Sequence, residues 1–240
     1  GRQPGVDTGR AAELGICPGG GIVISQQGTA YAVPTTNVTT DQSNDVIGDD
    51  GGITTGVTVT VGVTGGGDSP SINSGNGYVY GIQSTTSDAR NASVTINSGK
   101  MFNVWGGYSE NNNATGNTVT IYGGSIKYSI FGGSGKNSTG NTVTIYGGSI
   151  KGNIYGGTLN HSGGNLTGNT VTIYGGSITG SIYGGSGTGS VTTGNTLILG
   201  SLGHGVSGLN AQNIGHFQNL NFYLPGTIAN GDSVLTLSEG

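Results

Sequence analysis

The sequence predicts an all-β fold, a right-handed parallel β-helix (β-solenoid) with coils of about 24–28 residues. The first observation behind this prediction is the segment TGNTVTIYGGSI, which occurs three times without a change, at 115–126, 139–150 and 167–178. The second is that the segments between the copies differ in length, as expected for stacked units whose loops project outward. The third is a composition rich in Thr, Val and Ile, which favour strands, together with 53 glycines among 240 residues.

The repeat unit can be bounded at 18 residues, GNTVTIYGGSIxxxI[FY]GG, and it occupies 116–133, 140–157 and 168–185. The spacers that follow the three units are SGKNST, TLNHSGGNLT and SGTGSVTT. All of the length variation therefore lies outside the unit. A constant unit that must fit its neighbours above and below predicts a stack of similar coils.

The segment NTVTIY near the start of each unit predicts a strand, because its apolar residues alternate with hydroxyl-bearing ones. In the first copy Val119 and Ile121 share one face, while Thr118, Thr120 and Tyr122 share the other. We expect the aliphatic face to point into the solenoid and the other face to point outward. Equivalent residues of successive coils should then form columns, with neighbours about 4.8 Å apart.

The segment SIKGNIY, at 149–155, predicts a second strand in which Ile150 and Ile154 share the inward face. We expect each GG pair to end a strand and turn the chain, because glycine enters left-handed backbone conformations at little cost. One coil would then hold two strands, two glycine corners and a spacer. Tyr128 conflicts with this pattern, since it takes an inward position that Gly152 holds in the next unit, so the second strand is either kinked there or faces differently.

The repeat becomes fainter toward both ends of the chain, as the terminal units of an array usually do. Weak copies are NASVTINSGKMFNVWGG at 91–107 and GVTVTVG at 56–62, the latter followed by YVYG at 78–81. The predicted organisation is an irregular or capping segment over 1–55, the repeat array over 56–200, and drifting coils of the same solenoid over 201–240.

Composition and charge exclude several classes of protein. Charged residues make up 8% of the chain, the net charge is −4, and no carboxylate lies between Asn111 and Gly231. The basic residues are too few and too dispersed for nucleic-acid binding, which needs clustered Lys or Arg along the phosphates. The glycines follow no Gly-X-Y period, which excludes collagen. The chain has a single cysteine, Cys17, and therefore cannot form an internal disulfide.

The repeat GNTVTIYGGSIKGNIYGG and the closing segment LNAQNIGHFQNLNFYLPGTIANGDSVLTL, at 209–237, resemble the passenger region of Gram-negative autotransporter adhesins. These are large type V secreted surface proteins, and the resemblance covers more than half of the chain. It implies a location outside the bacterial cell, with the parent protein anchored through a C-terminal outer-membrane barrel that is missing here. The partners it implies are a host-cell surface, a glycan, or other copies of the protein, end to end or side by side.

Groups suited to catalysis or metal binding are sparse. The dense acids are Asp41, Asp45, Asp49, Asp50 and Asp68. The segment DQSNDVIGDDGG, which contains the first four of them, lacks the glycine at the sixth position and the acid at the twelfth position that an EF-hand loop requires. We expect these acids to lie in a solvated loop, with a weak metal site as the alternative.

The histidines, His161, His204 and His216, have no acid at a spacing suited to a catalytic triad or a zinc site. Lys127 and Lys151 fall in one column, which we interpret as a solubilising edge. We therefore expect no catalytic residue, no metal and no cofactor, and we expect that the protein is not an enzyme.

The outward columns are the candidate binding surface. They consist of two threonine ranks and two aromatic ranks: Thr118, Thr142 and Thr170; Thr120, Thr144 and Thr172; Tyr122, Tyr146 and Tyr174; and Phe131, Tyr155 and Tyr183. One interpretation is structural, because Thr and Tyr suit an exposed strand surface and stack well on their own copies. The other is a flat, uncharged binding surface of an adhesin stalk, with aromatic rings and hydroxyls as the contact groups. Two further hypotheses are an ice-binding solenoid, suggested by the T-x-T ranks, and a polysaccharide-degrading β-helix enzyme.

Overall fold

The chain forms a parallel β-solenoid of about 8 turns in a computed structural model that describes residues 21–24, 30–50 and 55–239. Within these residues the helical structure is a single 3₁₀ turn, Asn73–Gly75. The predicted all-β solenoid class is thereby confirmed.

The strands are short and numerous. In chain order they are β1 (Gly21–Ile24), β2 (Ala30–Val33), β3 (Thr35–Val38), β4 (Val46–Asp49), β5 (Thr58–Val61), β6 (Tyr78–Ser84), β7 (Ala89–Arg90), β8 (Ser93–Ile96), β9 (Lys100–Met101), β10 (Asn103–Ser109), β11 (Ala114–Thr115), β12 (Thr118–Ile121), β13 (Ser125–Ile126), β14 (Ile130–Gly135), β15 (Ser138–Thr139), β16 (Thr142–Ile145), β17 (Ser149–Ile150), β18 (Ile154–Leu159), β19 (Asn165–Thr167), β20 (Thr170–Ile173), β21 (Ser177–Ile178), β22 (Ile182–Ser186), β23 (Val191–Thr193), β24 (Thr196–Leu199), β25 (Leu209–Ala211), β26 (Ile214–Gly215), β27 (Asn219–Phe222) and β28 (Leu235–Leu237).

Four parallel sheets run along the solenoid. Sheet 1 has the order β27-β24-β20-β16-β12-β8-β5-β3, and sheet 2 has the order β26-β22-β18-β14-β10-β6-β4. Sheet 3 is β23-β19-β15-β11-β7, and sheet 4 is β21-β17-β13-β9. Two smaller pairs complete the described part, β25 with β28 in parallel and β1 with β2 antiparallel.

One coil, residues 118–141, shows how the sheets are connected. The chain passes through β12 in sheet 1, β13 in sheet 4, β14 in sheet 2 and β15 in sheet 3, and then enters β16 directly below β12. The corner between sheets 1 and 4 is made by Gly124, whose φ of 87° lies in the left-handed region. The segments whose length differs between coils connect sheet 2 to sheet 3. The variable spacers therefore project from one edge of the solenoid, as the sequence predicts.

The core is a set of aliphatic columns. Ile121 pairs with Ile145, and Ile145 pairs with Ile173, at equivalent positions of adjacent strands in sheet 1. The valine column beside it has the same register, and all of these side chains are fully buried. The predicted alternation of NTVTIY and the stacking of identical residues are confirmed.

The predicted second strand is wrong as a single element. Ser149–Ile150 and Ile154–Leu159 are separate strands in sheets 4 and 2, with a three-residue bend between them. Both isoleucines are buried, but they point into the core from two different sheets. Tyr128 lies in the equivalent bend of the preceding coil, where its side chain is 55% exposed and its ring stacks on Phe102. A bend there lets an aromatic residue point outward between two inward isoleucines, which resolves the conflict in the pattern.

The expectation that every GG pair turns the chain is also wrong for the second pair of each unit. Gly132 lies inside β14, and a Cβ atom there would come within 2.4 Å of the Gly156 carbonyl oxygen and within 3.2 Å of Val143 Cγ2. Gly133 likewise leaves room for the side chain of Asn141, because a Cβ atom on Gly133 would lie 2.6 Å from Asn141 Nδ2. These glycines allow sheet 2 to lie close to sheet 1. A coil therefore contains four strands, where the sequence predicts two.

A column of buried asparagines joins sheets 3 and 1, and the sequence interpretation above does not identify it. Its members are Asn117, Asn141, Asn169 and Asn195, each with no exposed surface. The side-chain oxygens of the last three members each accept the backbone N–H of the asparagine one coil earlier, for example Asn117 N to Asn141 Oδ1 at 3.0 Å. The side-chain oxygen of Asn117 accepts the backbone N–H of Ala92 at 3.0 Å. The side-chain amides also donate along the column, from Asn117 Nδ2 to Asn141 Oδ1 at 3.0 Å. Such ladders of stacked amides stabilise parallel in-register strands.

Sheets 1 and 2 extend into the segment 1–55, for which the sequence predicts an irregular or capping structure. The strands Thr35–Val38 and Val46–Asp49 already belong to sheets 1 and 2, so regular coils begin before residue 56. Cys17 lies outside the described residues. At the other end β26 and β27 continue sheets 2 and 1, and in β27 the inward positions Leu220 and Phe222 are 50% and 47% exposed.

Candidate functional site

The threonine ranks lie on the outer face of sheet 1, as the sequence predicts. Thr118, Thr142 and Thr170 are in register in β12, β16 and β20, and so are Thr120, Thr144 and Thr172. These side chains are half-buried, apart from Thr172, which is buried. In the following strand the second rank is interrupted by Ile198, which pairs with Thr172.

The first aromatic rank, which we call the tyrosine ladder, consists of Tyr122, Tyr146 and Tyr174 at the corner between sheets 1 and 4. The ring centroids are 4.8 Å apart between Tyr122 and Tyr146 and 4.7 Å apart between Tyr146 and Tyr174, with ring planes within 8° of parallel. Because each tyrosine follows the last residue of its strand in sheet 1, the register of that sheet fixes the stacking.

The second aromatic rank, on the outer face of sheet 2, is longer than predicted. Stacked neighbours are Tyr80 and Trp105 at 4.7 Å, Trp105 and Phe131 at 4.9 Å, Phe131 and Tyr155 at 5.1 Å, and Tyr155 and Tyr183 at 5.5 Å, and His216 follows with its ring tilted. The faint repeat copies at 78–81 and 91–107 could have identified Tyr80 and Trp105 as members. His216 follows no repeated motif, and sequence reasoning had no means of placing it.

Stacking limits what these rings can offer to a ligand. Within either rank both faces of an internal ring, such as Tyr146, are covered by its neighbours. A ligand beside the solenoid therefore meets ring edges and phenol hydroxyls, together with the threonine hydroxyls. A ring face is free only where a rank ends.

Burial raises the pKa of one phenol group in each aromatic rank. Desolvation raises the pKa of Tyr146, and the neighbouring phenols of Tyr174 and Tyr122 raise it further, because a phenolate there would be close to theirs. In the second rank, burial also raises the pKa of Tyr80, and the charge of Asp45 adds to this. Both raised pKa values extend the range of alkaline pH over which Tyr146 and Tyr80 stay uncharged.

We expect alkaline titration to detect the raised pKa of Tyr146. Tyrosines of the unfolded chain ionise from about pH 10. Since Tyr146 keeps its proton to higher pH in the folded protein, the folded state loses stability as the pH rises above about 10 and through the pKa of Tyr146. Phenolate absorbance of the folded protein should rise later than that of a tyrosine peptide. The variant Tyr146→Phe should lose part of the late rise, and an unchanged curve would contradict the raised pKa.

Two of the acids of the predicted solvated loop accept hydrogen bonds from the backbone, and a third contacts side chains. Asp41 accepts the N–H of Ser71 at 2.8 Å, and Asp45 accepts the N–H of Tyr78 at 2.9 Å. Asp68 accepts a hydrogen bond from the Ser125 hydroxyl at 2.8 Å and lies 3.0 Å from Lys100 Nζ, and these two contacts lower its pKa. Among the described residues no group of three or more His, Cys, Asp or Glu side chains could hold a metal ion.

Three of the four lysines of the array line a cleft beside sheet 4. Lys100, Lys127 and Lys151 share this cleft with Asp68. Lys127 Nζ donates a hydrogen bond to Asn76 Oδ1 at 2.7 Å and lies 5.7 Å from the Phe102 ring centroid. The ammonium group of Lys127 therefore already has partners within the protein. This arrangement is compatible with the solubilising edge that the sequence suggests.

The histidines do not form a shared site. His161 Nε2 contacts the carbonyl oxygen of Glu110 at 2.9 Å, and His216 Nδ1 contacts that of Gly185. His204 lies on a tight hairpin at the end of the tyrosine ladder, where its backbone pairs with Ser201.

The described residues contain no helix that is long and apolar enough to cross a membrane. Comparison of the whole chain with protein-family models, curated proteins and solved structures found no match.

Proposed function

We propose that the protein is a non-catalytic extracellular binding rod of the adhesin type, which recognises a host-cell surface, a glycan or other copies of itself. The observation that supports this most is the continuous outer surface of uncharged hydroxyl and aromatic groups. Its rings repeat at 4.7 to 4.8 Å in the tyrosine ladder, in register with two threonine ranks. A rigid, flat and neutral surface suits contact with uncharged polar partners.

The finer proposal is that the chain comes from the passenger region of a Gram-negative autotransporter and acts at the bacterial cell surface. Its support is the resemblance of the repeat and of the closing segment, together with a β-solenoid fold, which that resemblance implies. The absence of carboxylates between Asn111 and Gly231 further supports a neutral partner over a cationic one.

We expect the double variant Tyr146→Ser, Tyr174→Ser to bind at least roughly tenfold more weakly than the unchanged chain, because aromatic anchors carry a large share of interface energy. The measurement is the binding of the fluorescently labelled chain to cultured epithelial cells and to immobilised glycans. Circular dichroism should stay the same, since the register is held by the core and the backbone.

The control for this experiment is Val191→Ser, which removes an apolar side chain that is 55% exposed on sheet 3, outside the ranks. Its binding should equal that of the unchanged chain. If the double variant keeps full adhesion with an unchanged spectrum, the ranks are structural and the proposal loses its support.

A second candidate, ice binding, is favoured by one observation, the T-x-T ranks of β12, β16 and β20. The half-burial of these threonines, and the ladder of bulky rings beside them, weaken the candidate. Thermal hysteresis of the purified chain decides between the two. A freezing point depressed below the melting point would favour ice binding.

Self-association is the part of the proposal that depends on the last strand of sheet 1. The inward side chains of β27 are about half exposed, whereas Leu197 and Leu199 at the same positions of β24 are fully buried. Apolar side chains on an unpaired strand edge favour contact with another strand. Light scattering over a concentration series measures this association.

A further inference from the structure

The tyrosine ladder stops at a position where the register of sheet 1 would place another ring. Ile173 pairs with Leu199, so the residue aligned with Tyr174 in the following coil is Gly200. Gly200 has a φ of 80° and no side chain, and a Cβ there would lie 2.6 Å from the carbonyl oxygen of His204. Among the described residues Tyr146 is the one ring stacked on Tyr174, so the ring face of Tyr174 toward the following coil is not covered by another ring.

A hairpin next to this face makes the position into a cavity. Directly after Gly200 the chain turns back on itself, and the backbones of Ser201 and His204 exchange two hydrogen bonds of 3.0 and 2.9 Å. The cavity has a volume of about 490 Å³ and is lined by Tyr146, Tyr174, Ser201, His204, Gly205 and Val206. This volume lies within the usual range for small-ligand sites.

We propose that this cavity binds one pyranose ring of an uncharged saccharide, stacked on the free face of Tyr174. The proposal rests on the proposed function as a binding rod and gives that function a defined site and a ligand class. The apolar face of a sugar ring would take the place of the missing fourth aromatic ring, about 4.8 Å below Tyr174.

The chemistry of the lining favours a neutral sugar over other ligands. Tyr174 supplies an aromatic face, and the buried side chain of Val206 adds apolar surface. Ser201 and His204 supply a hydroxyl and an imidazole that can exchange hydrogen bonds with sugar hydroxyls. No Lys, Arg, Asp or Glu is among the lining residues, so a phosphorylated, sulfated or carboxylated ligand would find no opposite charge.

The other end of the ladder provides a matched control. Ile121 pairs with Ile96, so the residue aligned with Tyr122 in the preceding coil is Asn97, whose side-chain amide donates to the Gly62 carbonyl oxygen at 3.3 Å. Tyr122→Ser and Tyr174→Ser each remove one terminal ring from the same stack of three. They differ in that only Tyr174 lines the cavity beside the hairpin.

The test is saturation-transfer NMR on the full chain with methyl glycosides of glucose, galactose, mannose and N-acetylglucosamine. Methyl glucuronide and p-cresol serve as the charged and aromatic comparison probes. At least one neutral glycoside should bind saturably, about tenfold more weakly to Tyr174→Ser and within about twofold of the unchanged chain for Tyr122→Ser. His204→Ala, on the exposed hairpin, should weaken binding severalfold and decides the matter if Tyr174→Ser does not fold.

Four results would overturn the proposal: no neutral glycoside binds, Tyr174→Ser (or His204→Ala in its place) binds normally, the two tyrosine variants lose affinity equally, or only p-cresol or the glucuronide binds. The result also separates this proposal from the proposed function. A chain that adheres to cells but binds no glycoside retains the role of a binding rod and loses this site. A chain that does neither loses both.

Discussion

Replacing Asn141 with alanine should lower the free energy of unfolding by about 2 to 6 kcal/mol, since two buried backbone groups would lose their partners at about 1 to 3 kcal/mol each. The backbone N–H and the side-chain amide of Asn117 would both lose Asn141 Oδ1, each now at 3.0 Å. The carbonyl oxygen of Ala114 would lose the amide donor that now lies at 3.1 Å. All of these groups are out of reach of water in the middle of the array. Urea unfolding followed by circular dichroism measures the loss.

Asn210→Ala is the control for the asparagine column. Asn210 is exposed, and its side chain makes one local contact, to the Gly208 carbonyl oxygen at 3.3 Å. Its replacement should change the stability by no more than about 0.5 kcal/mol. Equal effects of the two substitutions would show that the column contributes little and that apolar packing alone holds the coils together.

Gly132→Ala should destabilise the protein by about 3 kcal/mol or more, at the upper end of what overpacking costs. The added methyl group would lie 2.4 Å from the carbonyl oxygen of Gly156, 3.1 Å from Asn141 Cβ and 3.2 Å from Val143 Cγ2. The nearest of these atoms belongs to β18, the neighbouring strand of sheet 2, which can move only by disrupting its pairing with β14. The other two atoms approach from the side of sheet 1, so the methyl group would also push the two sheets apart. The melting temperature of the variant provides the measurement.

Two other glycines separate this steric effect from the conformational preference of glycine. Gly226 has no atom within 4 Å of a built Cβ, and Gly226→Ala should leave the melting temperature unchanged. Gly140 has the same free space but a φ of 64°, so Gly140→Ala should cost about 1 kcal/mol through backbone strain alone. If Gly132→Ala were no worse than Gly140→Ala, close approach of the sheets would not be the reason for the second glycine pair.

The sequence was sufficient to predict the solenoid and sheet 1, because both depend on local patterns that repeat. Alternation places Val119 and Ile121 inward, and identical residues at a fixed period must stack when the units stack. The outward ranks of Thr and Tyr follow from the same two facts. For this reason most of the candidate surface could be named before its geometry was known.

The cross-section of a coil could not be predicted in the same way. Whether Gly132 turns the chain or lets two sheets approach depends on what lies across the core, and Asn141 and Val143 reach that place through the path of the whole coil. The asparagine column has the same origin, because a polar residue before a strand looks like part of a turn until its burial is known. Both features are contacts between different sheets of the solenoid. The residue pattern of one strand contains no information about the sheet that faces it across the core.

The candidate surface also has features that the repeat predicts and features that depend on the three-dimensional structure. Membership of the tyrosine ladder was predictable, whereas the covering of ring faces by neighbouring rings follows from the distances between them. The cavity below Tyr174 depends on Gly200 and the hairpin after it, which lie where the repeat has already drifted from its consensus. A site formed by a departure from a repeat leaves no repeated pattern in the sequence.

The identical contacts between successive coils have a consequence for how such a chain can change. Loss of 118–141 would join Asn117 to Thr142, which restores the GNTVTI context already present at that junction, and gain of the same stretch would do likewise. Recombination between near-identical gene segments would then lengthen or shorten the rod in whole steps of about 4.8 Å. The length of the rod can thereby change by mutation while every contact between neighbouring coils stays the same.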